Sequence, residues 1–347
     1  MSNIIEIKNL SKTFKSLNRH EGLIGSIKDL FSRDYRYLNA VDGVTMNIGY
    51  GEIVGYLGPN GAGKSTTIKM MTGILEPSGG EIFVNGVIPY KNREMNAQNI
   101  GVVFGQRSQL WWSLPVIESF KLLKEIYKID TKIYNDNLEL FNSIVDISKL
   151  YMKPVRQMSL GQRTLCDIVA SFLHDPKIVF LDEPTIGLDV SMKSKIRDII
   201  KQINEIKGTT IILTTHDIGD IEALCKRAVI IDKGKIVFDD DFDHLKNTFG
   251  KYRTLRLAKN ESKAETDKLV STINSICNSS AVTLIEEDDD ETAEKWISVM
   301  IDEDVITLAD VLNQCMKNCR IDDVKIEEIR TEDIIKKIYE GADKNEN

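Results

Sequence analysis

The sequence predicts an α/β fold followed by a smaller α+β domain. The segments KIVFLDEP and TTIILTTHD each contain a short, fully apolar run of the kind found in buried strands, and a helical pattern at about 191–206 separates them. Buried strands that alternate with helices form parallel sheets, so this order predicts a parallel sheet in the first domain. After Leu245 the alternation gives way to a different series of short segments, which predicts a second domain.

Strands are also predicted near the N-terminus, on either side of an insertion. IIEIKNLSKTF alternates apolar and polar residues, and TMNIGYGEIVGYLGPNGAGKST has the pattern of a strand, a turn and an apolar strand before a glycine-rich loop. A helix is predicted from about Ser65. Between these segments, residues 17–38 have apolar side chains at helical spacing among basic ones. We predict a short amphipathic helix there, which either packs on its own domain or lies against a membrane or a partner.

The C-terminal part of the chain predicts the element order βαββαβ followed by one more helix. This order is that of a small ferredoxin-like domain, which we place at 250–341, with a polar tail at 342–347. The first domain then spans residues 1–249. The segments in order are YRTLRLA, ETDKLVSTINSIC, AVTLIEE, KWISVMI, TLADVLNQCMKNC, VKIEEI and TEDIIKKIYEG.

Composition narrows the classes of function. With 347 residues, 42% of them hydrophobic, the chain is long enough for two packed domains. The net charge of −8 disfavours a nucleic-acid-binding surface, and we expect no nucleic-acid partner. The sequence has neither a signal-peptide pattern nor an apolar run of about 18 residues, so we expect any membrane role to come through partners. The five cysteines lack zinc-like spacing, and reduced thiols are expected.

A phosphate-binding loop is the strongest functional signal in the sequence. Residues 58–65 match the pattern GxxxxGK(S/T) between an apolar strand and a helix, which is the context that the pattern requires. Backbone N–H groups of such a loop face a polyphosphate, the lysine reaches the β- and γ-phosphates, and the serine ligates Mg²⁺. The predicted nucleotide-binding residues are Gly58, Pro59, Asn60, Gly61, Ala62, Gly63, Lys64, Ser65 and Thr66.

Two acids, Asp182 and Glu183, follow the apolar strand of KIVFLDEP. In an open α/β sheet the carboxyl ends of the strands form the ligand-binding edge, so these acids are predicted to lie beside the phosphate loop. Asp182 is predicted to hold Mg²⁺, and Glu183 to polarise the water that attacks the γ-phosphate. An acid pair is also common at solvated strand ends, so this assignment depends on the other motifs.

Across about residues 4–245 the sequence resembles the ABC ATPases, a family of P-loop nucleoside triphosphatases. The resemblance rests on the phosphate loop, the acid pair, VVFGQRSQ, SLGQ, GLD and TTHD. It implies a cassette with a mixed sheet core and a helical subdomain at about 107–170, which hydrolyses ATP with Mg²⁺. The implied catalytic residues are Lys64, Gln106, Glu183 and His216, and the implied Mg²⁺ ligands are Ser65, Gln106 and Asp182.

The resemblance also implies nucleotide contacts outside the phosphate loop. Phe14 occupies the place of the aromatic residue that stacks on adenine, and Asp189 that of the D-loop aspartate. SLGQ resembles the family signature motif, in which Ser159, Gly161 and Gln162 would meet the nucleotide held by a second subunit. The resemblance therefore implies a two-fold dimer around two ATP molecules, and a homodimer is expected.

The signature motif departs from the common sequence LSGGQ at two positions. Met158 stands for the leucine, and Leu160 stands for the first glycine. Leu160 adds bulk at this point, but the segment still leads a predicted helix whose N-terminus can face a phosphate. We expect an active site.

Within the family, the sequence resembles the ATPase subunits of ABC-2-type exporters. The resemblance rests on FGQRSQLWWSLPVIESF, SLGQR, LDEPTIGLDV and the appended C-terminal domain. It implies integral membrane permease subunits of ABC-2 type as partners, and a peripheral location at the cytoplasmic face of the cell membrane. Trp111 and Trp112 are candidates for contact with the permease, although ordinary packing of both rings is equally open.

Two alternatives stand beside the exporter interpretation. An importer ATPase uses the same chemistry, so the direction of transport rests on the branch resemblance alone. A non-transport ABC ATPase in DNA repair, translation or regulation is disfavoured, because the chain has neither a long coiled coil nor a second cassette and retains Glu183 and His216.

Overall fold

The computed structural model describes residues 3–17, 35–105, 108–215, 217–249, 252–259, 263–276, 281–285, 295–328, 333–335 and 338. The chain divides into two compact units, residues 1–242 and 243–347. The boundary predicted from the sequence, at 249/250, lies seven residues further along the chain, and the helix Phe242–Phe249 spans the interval between the two positions.

The helices and strands are numbered in chain order. The strands are β1 Asn3–Leu17, β2 Tyr35–Gly49, β3 Ile53–Leu57, β4 Gly79–Val84, β5 Ile100–Phe104, β6 Ile178–Asp182, β7 Thr210–Thr215, β8 Arg227–Asp232, β9 Lys235–Asp241, β10 Tyr252–Ala258, β11 Val282–Ile285, β12 Trp296–Asp302 and β13 Val324–Glu328. The α-helices are α1 Lys64–Met71, α2 Arg93–Asn99, α3 Val116–Ile126, α4 Thr131–Val145, α5 Leu160–Phe172, α6 Val190–Lys207, α7 Ile218–Leu224, α8 Phe242–Phe249, α9 Lys263–Ile276 and α10 Leu308–Asn318.

The first unit is built on a six-stranded sheet of order β5-β6-β7-β3-β8-β9. The pairs from β5 to β8 are parallel, and β9 pairs antiparallel with β8. The prediction of a mixed sheet core is therefore confirmed. Because β3, β6 and β7 are neighbours and run in the same direction, the segments that follow them emerge at one edge of the sheet.

A three-stranded antiparallel sheet of order β2-β1-β4 forms the second sheet of this unit. Apolar side chains from both sheets share one core, which includes Ile5, Ile7, Ile48, Tyr56 and Phe180. The prediction of a helical insertion at 17–38 is wrong at both ends of that range. Leu17 pairs with Tyr35, and Phe14 pairs with Leu38, in the antiparallel ladder of β1 and β2. Residues 18–34, where the amphipathic helix was predicted, lie outside the described residues.

The helical part of the first unit contains α3, α4 and α5, within and just beyond the predicted range 107–170. The Asp130 side chain caps α4 by accepting hydrogen bonds from the N–H groups of Lys132 and Ile133. Phe120, Phe141 and Phe172 are fully buried, one from each helix. In the part of the chain that the structure describes, no helix is both long and apolar enough to cross a membrane.

The second unit contains a four-stranded antiparallel sheet of order β11-β12-β10-β13. The chain order is β10, α9, β11, β12, α10, β13, which is a βαββαβ arrangement with the first strand central. Leu255, Val299 and Ile301 lie in the apolar core of this unit together with the thiols of Cys315 and Cys319. Of the predicted last helix, residues 333–335 and 338 are helical, and the tail at 342–347 lies outside the described residues.

Candidate functional site

The loop from Gly58 to Ser65 connects β3 with α1 at the edge of the six-stranded sheet. Gly63 has φ +110°, and a Cβ added there would lie 2.4 Å from the carbonyl oxygen of Ala40. Only glycine combines this backbone angle with such a close approach. The loop is therefore compact, with Ala62, Gly63 and Lys64 buried, whereas Pro59 and its neighbours Asn60 and Gly61 are exposed.

Lys64 begins α1 and is 6% exposed. Its Nζ donates hydrogen bonds to the carbonyl oxygens of Gly58 at 2.5 Å and Pro59 at 3.1 Å. Burial lowers the pKa of the Lys64 ammonium, and the nearby carboxylates of Glu183 and Asp182 act in the opposite direction. The loop thus holds a cation on its own carbonyl groups, at the place where a polyphosphate would bind.

Ser65 and Asp182 face each other across the site. The Ser65 hydroxyl lies 3.4 Å from Oδ1 and 3.3 Å from Oδ2 of the Asp182 carboxylate. The Thr214 hydroxyl donates to Oδ1 of Asp182 at 2.5 Å, because Asp182 and Thr214 are paired in the register of β6 and β7. Hydroxyl and carboxylate oxygens are ligands that Mg²⁺ prefers, beside water and substrate phosphates, so this pair fits the implied ion.

Glu183 follows β6 in an unusual backbone conformation, with φ +53°. Its N–H donates to the carbonyl oxygen of Thr214 at 3.0 Å and to the Thr214 hydroxyl at 3.1 Å. A left-handed conformation in a residue other than glycine costs about 1 kcal/mol or more, and such strain is concentrated at functional sites. The two hydrogen bonds hold Glu183 in this conformation and so fix the direction in which its side chain leaves the backbone.

A cavity of about 520 Å³ lies beside these residues. It brings the serine of the phosphate loop together with both acids, and the end of β5 forms another part of its wall. The predicted Mg²⁺ ligands Ser65 and Asp182 and the predicted catalytic Glu183 therefore share one space. Residues that line it include Ser65, Lys69, Phe104, Asp182, Glu183 and Ile186.

The signature segment forms the N-terminus of α5. The Ser159 hydroxyl accepts from the N–H of Gln162 at 3.2 Å, and the Gln162 side chain accepts from the N–H of Ser159 at 3.4 Å, which together make a capping box. Leu160 is 42% exposed, and Gly161 lies against the Met192 side chain. Among the described residues, the structure does not place the signature in the lining of the 520 Å³ cavity. Its contact with a second subunit stays a prediction.

Of the remaining residues predicted to contact the nucleotide or Mg²⁺, the structure describes three. Asp189 caps α6, since its side chain accepts from the N–H of Met192 at 2.9 Å. The Phe14 ring is 40% exposed, and Nζ of Lys12 lies 5.5 Å from its centre. Thr66 is half-buried in the first turn of α1. Gln106 and His216 lie outside the described residues.

Thr214 is a site residue that sequence reasoning missed. Its hydroxyl contacts both Asp182 and the backbone of Glu183, so it orients the two acids together. The only signal in the sequence is a threonine near the end of the apolar segment TTIILTTHD. A role for this threonine can be inferred only when the register of β6 and β7 is known, because that register places Thr214 beside Asp182.

The fold and the site together define a nucleoside-triphosphate-binding protein of the P-loop class. A family model described as ABC transporter matches residues 41–186. The ABC transporter ATP-binding protein NatA of Bacillus subtilis (strain 168) is 31% identical over 208 residues, which are 60% of this chain and 84% of NatA. The chain therefore belongs to the family of ABC transporter ATP-binding proteins and contains their ATPase domain.

Other relatives agree with this assignment. The bacitracin transport ATP-binding protein BcrA of Bacillus licheniformis is 32% identical over 65% of this chain and 72% of BcrA. The matched region spans only 26% of ABC transporter A family member 1 of Dictyostelium discoideum, which is 33% identical over 66% of this chain. A solved structure described as the ATP-binding subunit of an ABC transporter has a TM-score of 0.59 and 26% identity, and covers 71% of this chain and 93% of its own.

Proposed function

We propose that this chain is an ATP-binding and ATP-hydrolysing subunit that dimerises around two ATP–Mg²⁺ and powers export through separate ABC-2-type permease subunits. The observation that supports it best is the grouping of Ser65, Asp182 and Glu183 around one cavity beside the phosphate loop. On this proposal the chain is peripheral at the cytoplasmic face of the membrane, and the permease provides the membrane contact.

Binding of the nucleotide follows from the loop. The backbone N–H groups of Gly61 to Ser65 and the N-terminus of α1 supply partial positive charge to the β- and γ-phosphates. The Lys64 ammonium, held on the carbonyl oxygens of Gly58 and Pro59, is already placed at the loop and adds a full charge. The exposed ring of Phe14 offers a stacking surface for the adenine base.

Hydrolysis requires a positioned water and stabilisation of the charge that develops on the transferred phosphoryl group. Glu183 accepts a hydrogen bond from the water and so orients it toward the γ-phosphate. Its backbone, bonded to Thr214, limits the directions in which the carboxylate can point and so preorganises it. Mg²⁺ bound at Ser65 and Asp182 would neutralise part of the charge of the β- and γ-phosphates.

A second copy is proposed to complete each site. The N-terminus of α5 is preorganised by the capping box, and the exposed side chain of Leu160 lies beside it, so the helix end is available to another chain. One structural neighbour is described as a dimeric post-hydrolysis state of the cassette MJ0796 bound to ADP and Pi. By analogy, closing of the two copies on ATP and their reopening after hydrolysis would provide the movement that reshapes the permease.

The test of the dimer is size-exclusion chromatography of Glu183→Gln with ATP and Mg²⁺. We expect a trapped dimer with ATP–Mg²⁺ and a monomer with ADP, because the variant binds nucleotide but turns it over slowly. The matched control is Glu205→Gln, which removes the same charge from an exposed position near the C-terminal end of α6. This variant should not accumulate as a dimer. A Glu183→Gln protein that elutes as a monomer in every nucleotide would contradict ATP-driven self-association.

The proposal that the chain powers export rests on the names of two relatives and on an exposed aromatic surface at Trp111 and Trp112. BcrA is named for bacitracin transport, and LnrL of Bacillus subtilis (strain 168) for linearmycin resistance. Trp111 and Trp112 follow the segment of Gln106, and the ring of Trp112 is 54% exposed with the Arg163 guanidinium 4.9 Å from its centre. An exposed, rigid aromatic ring of this kind is a good anchor for a permease helix.

Co-purification with a co-expressed ABC-2-type permease tests that surface. Trp112→Ala should reduce the amount of permease recovered while leaving ATP binding by the isolated chain unchanged. Ile206→Ala is the control, since it removes an equally exposed apolar side chain from α6. Equal recovery with both variants would contradict a role for Trp112 in docking.

A further inference from the structure

The carboxylate of Asp220, on α7, is fully buried and is contacted by the side chains of three residues. Its Oδ1 accepts from Nε of Arg197 at 2.6 Å and lies 2.6 Å from Nη2 of the same guanidinium. Its Oδ2 accepts from the hydroxyl of Thr215 at 3.1 Å and from the hydroxyl of Thr185. Both carboxylate oxygens therefore have hydrogen-bond donors.

These partners come from three segments that the proposed reaction uses. Thr185 lies two residues after Glu183, and Thr215 directly precedes His216 in the chain. Arg197 lies on α6, the helix that Asp189 caps. One buried carboxylate thus ties the segment after β6, the end of β7 and the helix after the D-loop to one another.

A second ion pair supports the same arrangement. Asp217 accepts from Nζ of Lys193 at 2.5 Å and lies 3.7 Å from Nη2 of Arg197. Asp217 also caps α7 by accepting from the N–H of Gly219 at 2.9 Å, and its own N–H donates to the Thr215 hydroxyl at 2.9 Å. Asp217 is therefore held to two consecutive turns of α6, and Thr215 is bonded in turn to Asp217 and Asp220.

A buried ion pair gives little stability compared with well-packed apolar side chains, because the charges must be taken out of water. The ion pair instead fixes the relative orientation of the groups it joins, because the hydrogen bonds of a carboxylate and a guanidinium are directional. The Asp220 carboxylate fixes the positions of two threonine hydroxyls, each of which lies close in sequence to a predicted catalytic residue.

We propose that Asp220, oriented by Arg197, is a positioning residue for hydrolysis, which fixes the segment after Glu183 and the end of β7 relative to α6 through the hydroxyls of Thr185 and Thr215. The inference rests on the proposed ATPase function. It makes α6 the connection between Asp189 and the two hydrolytic segments. A change at the D-loop would then reach the segment of Glu183 and the end of β7 through α6 and the Asp220 carboxylate.

The test compares Thr185→Val with Thr185→Ser in steady-state ATPase assays of the full chain. Valine keeps the shape of the side chain and removes the hydroxyl, whereas serine keeps the hydroxyl that donates to Asp220. We expect Thr185→Val to lower kcat by on the order of 10-fold with KM for ATP unchanged, as with other outer-layer partners of catalytic groups. Thr185→Ser should restore most of kcat.

Lys207→Gln is the control, because it breaks the ion pair of Lys207 with Asp175 at the other end of α6 and should leave kcat and KM unchanged. Thermal denaturation of each variant separates folding from turnover. A Thr185→Val protein with the kcat of the unaltered chain, or with a raised KM and equal kcat, would overturn the positioning role. Absence of ATPase activity in the unaltered chain would instead overturn the proposed function.

Discussion

Thr214 connects the two acids of the site, because its hydroxyl donates to Oδ1 of Asp182 at 2.5 Å and accepts from the N–H of Glu183 at 3.1 Å. A single side chain therefore sets the orientation of the proposed Mg²⁺ ligand and of the proposed catalytic carboxylate. Mutation of outer groups of this kind typically costs about 10- to 100-fold in metal affinity or activity.

Replacement of Thr214 by valine should weaken Mg²⁺-dependent turnover. The variant keeps the packing volume but leaves Asp182 and the Glu183 N–H without the hydroxyl, so we expect kcat/KM for ATP–Mg²⁺ to fall about 10- to 100-fold. Titration of Mg²⁺ at fixed ATP measures the loss. Thr210→Val at the other end of β7 is the control, because Thr210 is equally buried but accepts from the N–H of Gly51. Equal loss in both variants would mean that the effect is one of folding.

The phosphate loop offers a matched pair of glycines. Gly61 has φ +86° with nothing within 4 Å of an added Cβ, whereas Gly63 has φ +110° and the Ala40 carbonyl oxygen 2.4 Å from it. Gly61→Ala should cost only the backbone strain, about 1–2 kcal/mol. Gly63→Ala adds a clash with backbone and should lower the midpoint of thermal unfolding, measured without nucleotide, clearly further. Equal midpoints would contradict the close approach at Gly63.

Asp167, on α5, should make stability depend on pH. Its Oδ1 accepts from the Ser108 hydroxyl and from the N–H of Gln109, both at 3.0 Å. Burial raises the pKa of the Asp167 carboxyl to about 6, although these hydrogen bonds and the charge of Arg163 act in the opposite direction. A raised folded-state pKa means that the folded protein binds the proton more tightly than the unfolded chain, so this contribution to stability is present at low pH and is lost as pH rises through about 6.

The comparison of Asp167→Asn with the unaltered chain isolates this effect. Asparagine keeps an oxygen that accepts from Ser108 and Gln109 but does not ionise. Relative to the variant, the unaltered chain should lose about 1.4 kcal/mol between pH 5 and pH 7.5. Denaturant unfolding of both proteins across this range measures the difference. A difference that does not change with pH would contradict ionisation of a buried Asp167.

The sequence predicted the strand, loop and helix around residues 58–65 well, because that motif has essentially one backbone geometry. Gly63 must be glycine for the loop to pass the Ala40 carbonyl, and Lys64 must follow it to begin α1, so the pattern alone determines the local structure. The parallel part of the sheet was likewise predictable, since KIVFLDEP and TTIILTTHD are too apolar for any place but a buried strand.

Other features depended on contacts that the sequence does not contain. The role of Thr214 follows from the register Asp182↔Thr214 between β6 and β7, and that of Asp220 from the approach of α6 to α7. The helical spacing predicted for 17–38 failed at its ends, because Leu17 and Tyr35 are paired strand residues. Periodicity cannot show where a long antiparallel ladder stops.

The ATP turnover of Glu183→Gln, measured beside its affinity for a fluorescent ATP analogue, tests the central claim most directly. Glutamine matches the shape of Glu183 but is a much weaker acceptor for a water proton, so turnover should fall by about 100-fold or more while the affinity changes by less than about 3-fold. Turnover within about 2-fold of the unaltered chain, with unchanged affinity, would contradict the assignment of Glu183 as the residue that activates water.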